Sequence, residues 1–180
     1  MKRTEITIPV RLDMDTYRRY CHFHSMVLNK QWLAPAVAGV VMLGLGIAAL
    51  VSGRPELKTP AGILIGLGVA IPVLYFVFYF IRVYSQASRL RLRYSPAVYT
   101  LRLTEEAVRV ENNQQKEDAI AIPWDQMYAA YRVRDCIYLY PNKARAFLLP
   151  AGQADAPQNE VWYFLVNQMG KDNCFNRQIT

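Results

Sequence analysis

Two stretches of 23 residues, Gln31 to Gly53 and Thr59 to Ile81, carry no charged side chain. A helix of about 20 apolar residues crosses the roughly 30 Å hydrocarbon interior of a bilayer and satisfies its own backbone groups there. Both runs meet that requirement, which predicts transmembrane helices over 33–52 and 61–81. Two buried core helices are the soluble alternative, but a chain of 180 residues has too little other protein to cover every side of both. A cleaved signal peptide does not fit the first run, which starts some thirty residues in and is followed by a second run. The connector over 53–60 contains Gly53, Pro55 and Pro60. It is short enough to demand an antiparallel helical hairpin.

The charge is distributed unevenly around these runs. Residues 1–32 hold six Lys/Arg against three acids, the connector two against one, residues 82–96 four against none, and residues 97–180 nine against ten. The net charge of +7 therefore sits beside the spans. Ten basic residues flank one side and two the other, so the positive-inside rule predicts a multi-pass protein with both termini cytoplasmic and the connector outside. Three cysteines, Cys21, Cys136 and Cys174, form no CxxC pair and are expected to stay reduced in that compartment.

Outside the spans the hydrophobic period changes. Ile6, Ile8, Val10 and Leu12 alternate with Thr7, Pro9 and Arg11, the pattern of a half-buried strand, which Pro9 confines to an edge. Asp13 or Asp15 is placed to cap a helix starting at about Met14 and leading to Trp32, so residues 1–32 read as an edge strand and a juxtamembrane helix. After Ile81 a basic helix is expected over 82–96, ended by Ser95-Pro96. Six short β runs follow, at 98–103, 107–111, 119–123, 128–134, 137–140 and 144–149, separated by turn-forming residues. From Asp155, an N-cap candidate, Trp162, Leu165, Val166 and Met169 fall on one helical face before Gly170. The fold class is thus membrane α+β, with a hairpin and an antiparallel β domain over 97–180 closed by a C-terminal helix. That length is enough for a small core, so the domain is expected to fold without the hairpin.

Chemistry-bearing motifs are scarce. GxxxxGK[ST], HExxH and GxSxG do not occur. Cys21, His22 and His24 lie at i, i+1 and i+3, a spacing that does not converge on one metal ion. Glu105 and Glu106 are neighbours that point apart, and Asp125 fits a turn where it bonds turn amides. No catalytic, cofactor or metal site is expected. Neither span holds an ionisable acid or base, as a proton or ion pathway would require. Trp124 is expected in the domain core beside Trp162 and Leu165. Arg82, Arg89, Arg91 and Arg93 set topology or contact anionic headgroups. Gly44-xxx-Ala48 and Gly62-xxx-Gly66 offer small faces for packing within the hairpin, or for a contact between two copies. The near-neutral domain lacks the basic stripe of a nucleic-acid binder.

The order of elements, with Tyr99-Thr-Leu-Arg-Leu-Thr-Glu-Glu106, Ile122-Pro-Trp-Asp-Gln-Met127, Ile137-Tyr-Leu-Tyr-Pro141 and Ala146-Phe-Leu-Leu-Pro150, resembles the YcxB-like family of small bacterial membrane proteins. The resemblance covers nearly the whole chain. It implies a bacterial plasma (inner) membrane location and a pleckstrin-homology-like (PH-like) domain. After Pro150 this chain has Ala151-Gly-Gln153 where such a protein is expected to have a basic residue. The expected function is a membrane-anchored interaction or sensory module, its partners the bilayer and a protein or peptide bound by the domain. An accessory subunit of a transport complex, or an enzyme acting on a lipid-like substrate, are the alternatives.

Overall fold

The computed structural model describes residues 4–89, 97–112 and 119–177. It is an α+β structure: two long apolar packed helices are followed by two small sheets and a C-terminal helix. The described residues up to Tyr20 and from Ala97 onward form one compact unit, and Cys21–Arg89 form another.

In the first unit, strand β1 (Glu5–Arg11) buries Ile6, Ile8 and Val10 and exposes Glu5, Pro9 and Arg11, as the alternation requires. Helix α1 (Met14–His22) follows at once. Asp13 is its cap: its carboxylate accepts the Thr16 amide at 2.7 Å and its carbonyl accepts the Tyr17 amide at 3.1 Å. Bonds from the Thr16 side chain and then the Thr16 amide hold the Asp13 carboxyl below its ordinary value of 3.8. A depressed carboxylate stabilises the fold above that pH and ceases to do so as pH falls through the folded pKa. Asp13→Ala is therefore expected to cost about 1 kcal/mol at neutral pH. In urea unfolding of the detergent-solubilised chain, the gap to wild type should narrow below pH 3.8.

Strands β2 (Ala97–Thr104), β3 (Ala107–Asn112) and β4 (Ile120–Pro123) continue antiparallel from β1, in the order β1-β2-β3-β4. Seven residues of β1 pair with β2, from Glu5 opposite Thr104 to Arg11 opposite Ala97, with a bulge between Val10 and Arg11. A turn at Trp124–Gln126 ends the first sheet. The second consists of β5 (Ala129–Val133), β6 (Cys136–Asn142), β7 (Arg145–Pro150) and β8 (Cys174–Asn176), in the order β7-β6-β5-β8. Sequence reading finds the first three of these strands and misses β8. This strand has only three residues and runs parallel to β5, with Phe175 stacked 5.1 Å from Tyr131.

Helix α4 (Gln158–Met169) buries Val161, Trp162, Leu165 and Met169, and Gly170 stops it at φ +80°. It begins three residues after the expected cap, with Pro157 in the cap position. Asp155 serves β1 instead: its carboxylate accepts the Thr7 amide and its own amide donates to the Thr7 carbonyl, both at 3.2 Å. Two residues earlier, the Gln153 side-chain amide donates to the Arg11 carbonyl at 2.8 Å, and its oxygen accepts the Arg11 amide at 2.7 Å. Pro9 between them has no amide hydrogen. The outer edge of β1 is thus occupied by side chains that imitate a neighbouring strand.

Tyr99 ties the two sheets together. Its hydroxyl accepts the Leu148 amide at 2.8 Å and donates to the Leu148 carbonyl at 3.3 Å. Burial raises its pKa, so it keeps the proton it donates. Tyr20 of α1 packs edge-on against Tyr138 at 5.5 Å, and Arg19 pairs with Asp135 at 3.5 Å.

In the second unit, a π-helical turn (Phe23–Leu28) precedes α2 (Leu33–Val51), and α3 (Lys58–Arg89) returns antiparallel after a short 3₁₀ turn at Pro55–Leu57. Helix α3 is a single element of 32 residues that continues through Arg82 to Arg89. The remainder of the expected basic helix, with Arg91 and Arg93, lies outside the described residues, as do the β3–β4 turn residues 113–118.

Candidate membrane interface

The contact between α2 and α3 is built on glycine. A Cβ on Gly39 would stand 2.7 Å from both the Gly68 carbonyl oxygen and Pro72 Cγ, and one on Gly68 would stand 2.8 Å from Leu43 Cγ. One turn-pair along, a Cβ on Gly46 would lie 2.7 Å from Ile65 Cγ1 and 3.1 Å from the Ala61 carbonyl oxygen. A step of seven residues on α2 thus matches a step of seven on α3, from Gly68 to Ala61 and from Pro72 to Ile65. This is the repeat of helices that pack along a continuous seam.

The small residues singled out from sequence are elsewhere. Gly44, Ala48, Gly62 and Gly66 are exposed, and a Cβ on any of the three glycines would meet nothing within 4 Å. Within the hairpin the difference is one of period. Small residues four apart mark a face that close-packed helices use, but the seam here recurs every seven, which selects Gly39, Gly46, Ala61 and Gly68. That signal was present in the sequence.

The faces turned away from the seam are apolar and uncovered. Val40, Val51 and Phe78 are 70%, 81% and 65% exposed. Both helices are long and apolar enough to cross a membrane, and little of either is buried. Carrying the seven-residue step back from Gly39 sets Trp32 level with Tyr75 and Tyr79. At the other end α2 stops at Val51 and α3 starts at Lys58, with Arg54, Glu56 and Lys58 exposed about the connector. The apolar slab between these levels is about 19 residues, or roughly 28 Å, deep. Its one rim is aromatic, as interfacial belts are, and the other holds the charged connector. Arg82 and Arg89 are exposed on α3 beyond the aromatic rim.

Of the residues expected in the domain core, Leu165 is fully buried and Trp124 and Trp162 are nearly so. The Trp124 indole nitrogen donates to the Thr104 carbonyl at 2.9 Å, and its ring meets Phe164 edge-on at 6.1 Å. Asp125 is exposed and does not take the turn amide expected of it, since the Met127 amide goes to the Trp124 carbonyl. Glu105 and Glu106 are exposed in the β2–β3 turn. No three His, Cys, Asp or Glu side chains converge among the described residues. Burial pushes the Cys136 thiol up to about 12 and the Cys174 thiol to about 11, the opposite of what thiolate chemistry needs. A cavity of about 10 Å³ beside the 150–156 loop, lined by Ile8, Ile137, Leu149 and Val161, has room for a water-sized molecule only. No protein family, curated protein or solved structure matches the chain.

Proposed function

We propose that the chain is a membrane-anchored interaction or sensory module. Its helices cross the bilayer as a hairpin and its β unit, PH-like in its strand meander, two sheets and closing helix, binds a protein, peptide or headgroup at the cytoplasmic face of a bacterial plasma membrane. One observation carries this reading. β1 and β2 lie on opposite sides of the hairpin in sequence yet are paired neighbours in one sheet, so both ends of the hairpin open into the same compartment. Exposed apolar faces on α2 and α3 supply the lipid contact, and the bias of basic residues to the β side makes that compartment the cytoplasm. Arg82, Arg89, Arg91 and Arg93 orient the hairpin and draw anionic headgroups, each contributing about 1 kcal/mol near such a surface. No catalytic residue or cofactor is assigned.

The native cysteines are poor reporters of sidedness because Cys21 and Cys136 are buried. Exposed positions serve better. In intact cells, a membrane-impermeant maleimide is expected to label Glu56→Cys in the connector and to miss Glu105→Cys in the β2–β3 turn until the cells are lysed. Labelling of Glu105→Cys before lysis would overturn the orientation. Release of the wild-type chain by alkaline carbonate would overturn the membrane reading itself.

A further inference from the structure

The pairing of β1 with β2 has a consequence for assembly. The partners are distant in sequence, with Arg11 opposite Ala97 and Glu5 opposite Thr104, and both apolar helices lie between them. Ile6, Ile8 and Val10 are fully buried in the sheet together with Leu101 and Leu103. The outer edge of β1 is held by Gln153 and Asp155, which lie further still along the chain. Among the described residues, every bond given to the backbone of β1 therefore comes from chain synthesised after the hairpin. We propose that the β unit folds only when the chain between β1 and β2 crosses the membrane an even number of times, so that folding of this unit proofreads insertion of the hairpin. The inference rests on the membrane reading above. If one helix alone inserts, β1 is stranded on the far side, Leu101 and Leu103 lose their cover, and the chain is left open to proteolysis.

A parity experiment separates this from a general effect of disturbing the hairpin. An extra apolar span of about 20 residues is placed between Gly53 and Arg54 of the full chain, giving three spans, and two such spans give four. Glu5→Cys and Glu105→Cys report, through an impermeant maleimide, whether β1 and the β2–β3 turn share a side. With trypsin admitted to both faces of the vesicles by freeze–thaw, the four-span chain is expected to resist it as wild type does. Three-span molecules that label from opposite sides are expected to lose the segment after Ala97 more than about tenfold faster, since cleavage tracks the population of open chain. Omission of the extra span from the membrane, leaving both cysteines on one side and the unit intact, would equally show that parity is enforced. Three-span molecules split across the bilayer yet as resistant as wild type would overturn the proposal. Wild-type chain released by carbonate would instead sink the membrane reading on which it rests.

Discussion

A fragment of residues 97–180 is expected not to fold, whereas residues 1–20 joined to 97–180 by a flexible linker are expected to give a soluble, cooperatively unfolding domain. Sheet β1-β2-β3-β4 loses an edge strand in the shorter fragment, and with it the buried Ile6, Ile8 and Val10. Removing one large core side chain costs about 2–5 kcal/mol, and a whole domain has only about 5–15 kcal/mol to lose. Loss of the strand, and of the Tyr20 ring against Tyr138, exceeds that margin. Helix α1 from Met14 to Tyr20 is about 10 Å long and begins where Arg11 faces Ala97, so about ten Gly/Ser residues, with a mean reach of roughly 17 Å, span the gap. Within the linked protein, Leu165→Ala should lower stability by about 2–5 kcal/mol, because Leu165 is completely buried on the inner face of α4. Dispersed amide resonances and a sigmoidal urea transition from the 97–180 fragment alone would show that β1 is dispensable.

The pairing of β1 with β2 was invisible in the sequence for a definite reason. Alternation in Ile6, Ile8 and Val10 establishes that a strand exists and which side it buries, and Pro9 establishes that it is an edge. Nothing local says which sheet it joins, because its partner begins at Ala97, beyond the hairpin. Strands joined by short turns are legible as pairs; β1 and β2 are not joined in that sense. The same limit hides β8, whose three residues pair in parallel with β5 after an intervening helix. Asp155 shows a related failure. An acid ahead of an apolar helical stripe is a good cap signal, yet the β1 edge needed acceptors and donors more than the helix did. Where only local chemistry was at stake, as with the Asp13 cap and the Gly170 stop, residue type sufficed.

The hairpin seam was legible in principle, and substitution distinguishes its two periods. Gly39→Leu is expected to force α2 and α3 apart, while Gly44→Leu and Gly62→Leu leave their association unchanged. In lipid there is little hydrophobic drive between helices, so association depends on close van der Waals fit. At Gly39 the obstacles to a side chain are the carbonyl of Gly68 and the ring of Pro72, neither of which can swing aside. Overpacking at such a point costs about 1–3 kcal/mol, and more when backbone must move. At Gly44 and Gly62 a Cβ meets open space; changes there, away from any packed contact, fall within about 0.5 kcal/mol. Gly46 should be intermediate, since its closest obstacle is the Ile65 side chain rather than backbone. Pro72→Ala removes one of the two contacts facing Gly39 and leaves the Gly68 carbonyl, so combining it with Gly39→Ala should recover part, not all, of the loss. Resonance energy transfer between labels on α2 and α3, followed through an SDS titration of the detergent-solubilised chain, reads these differences as shifts in midpoint. Equal shifts for Gly44→Leu, Gly62→Leu and Gly39→Leu would mean that the helices meet through the four-residue small faces and not through the seven-residue seam.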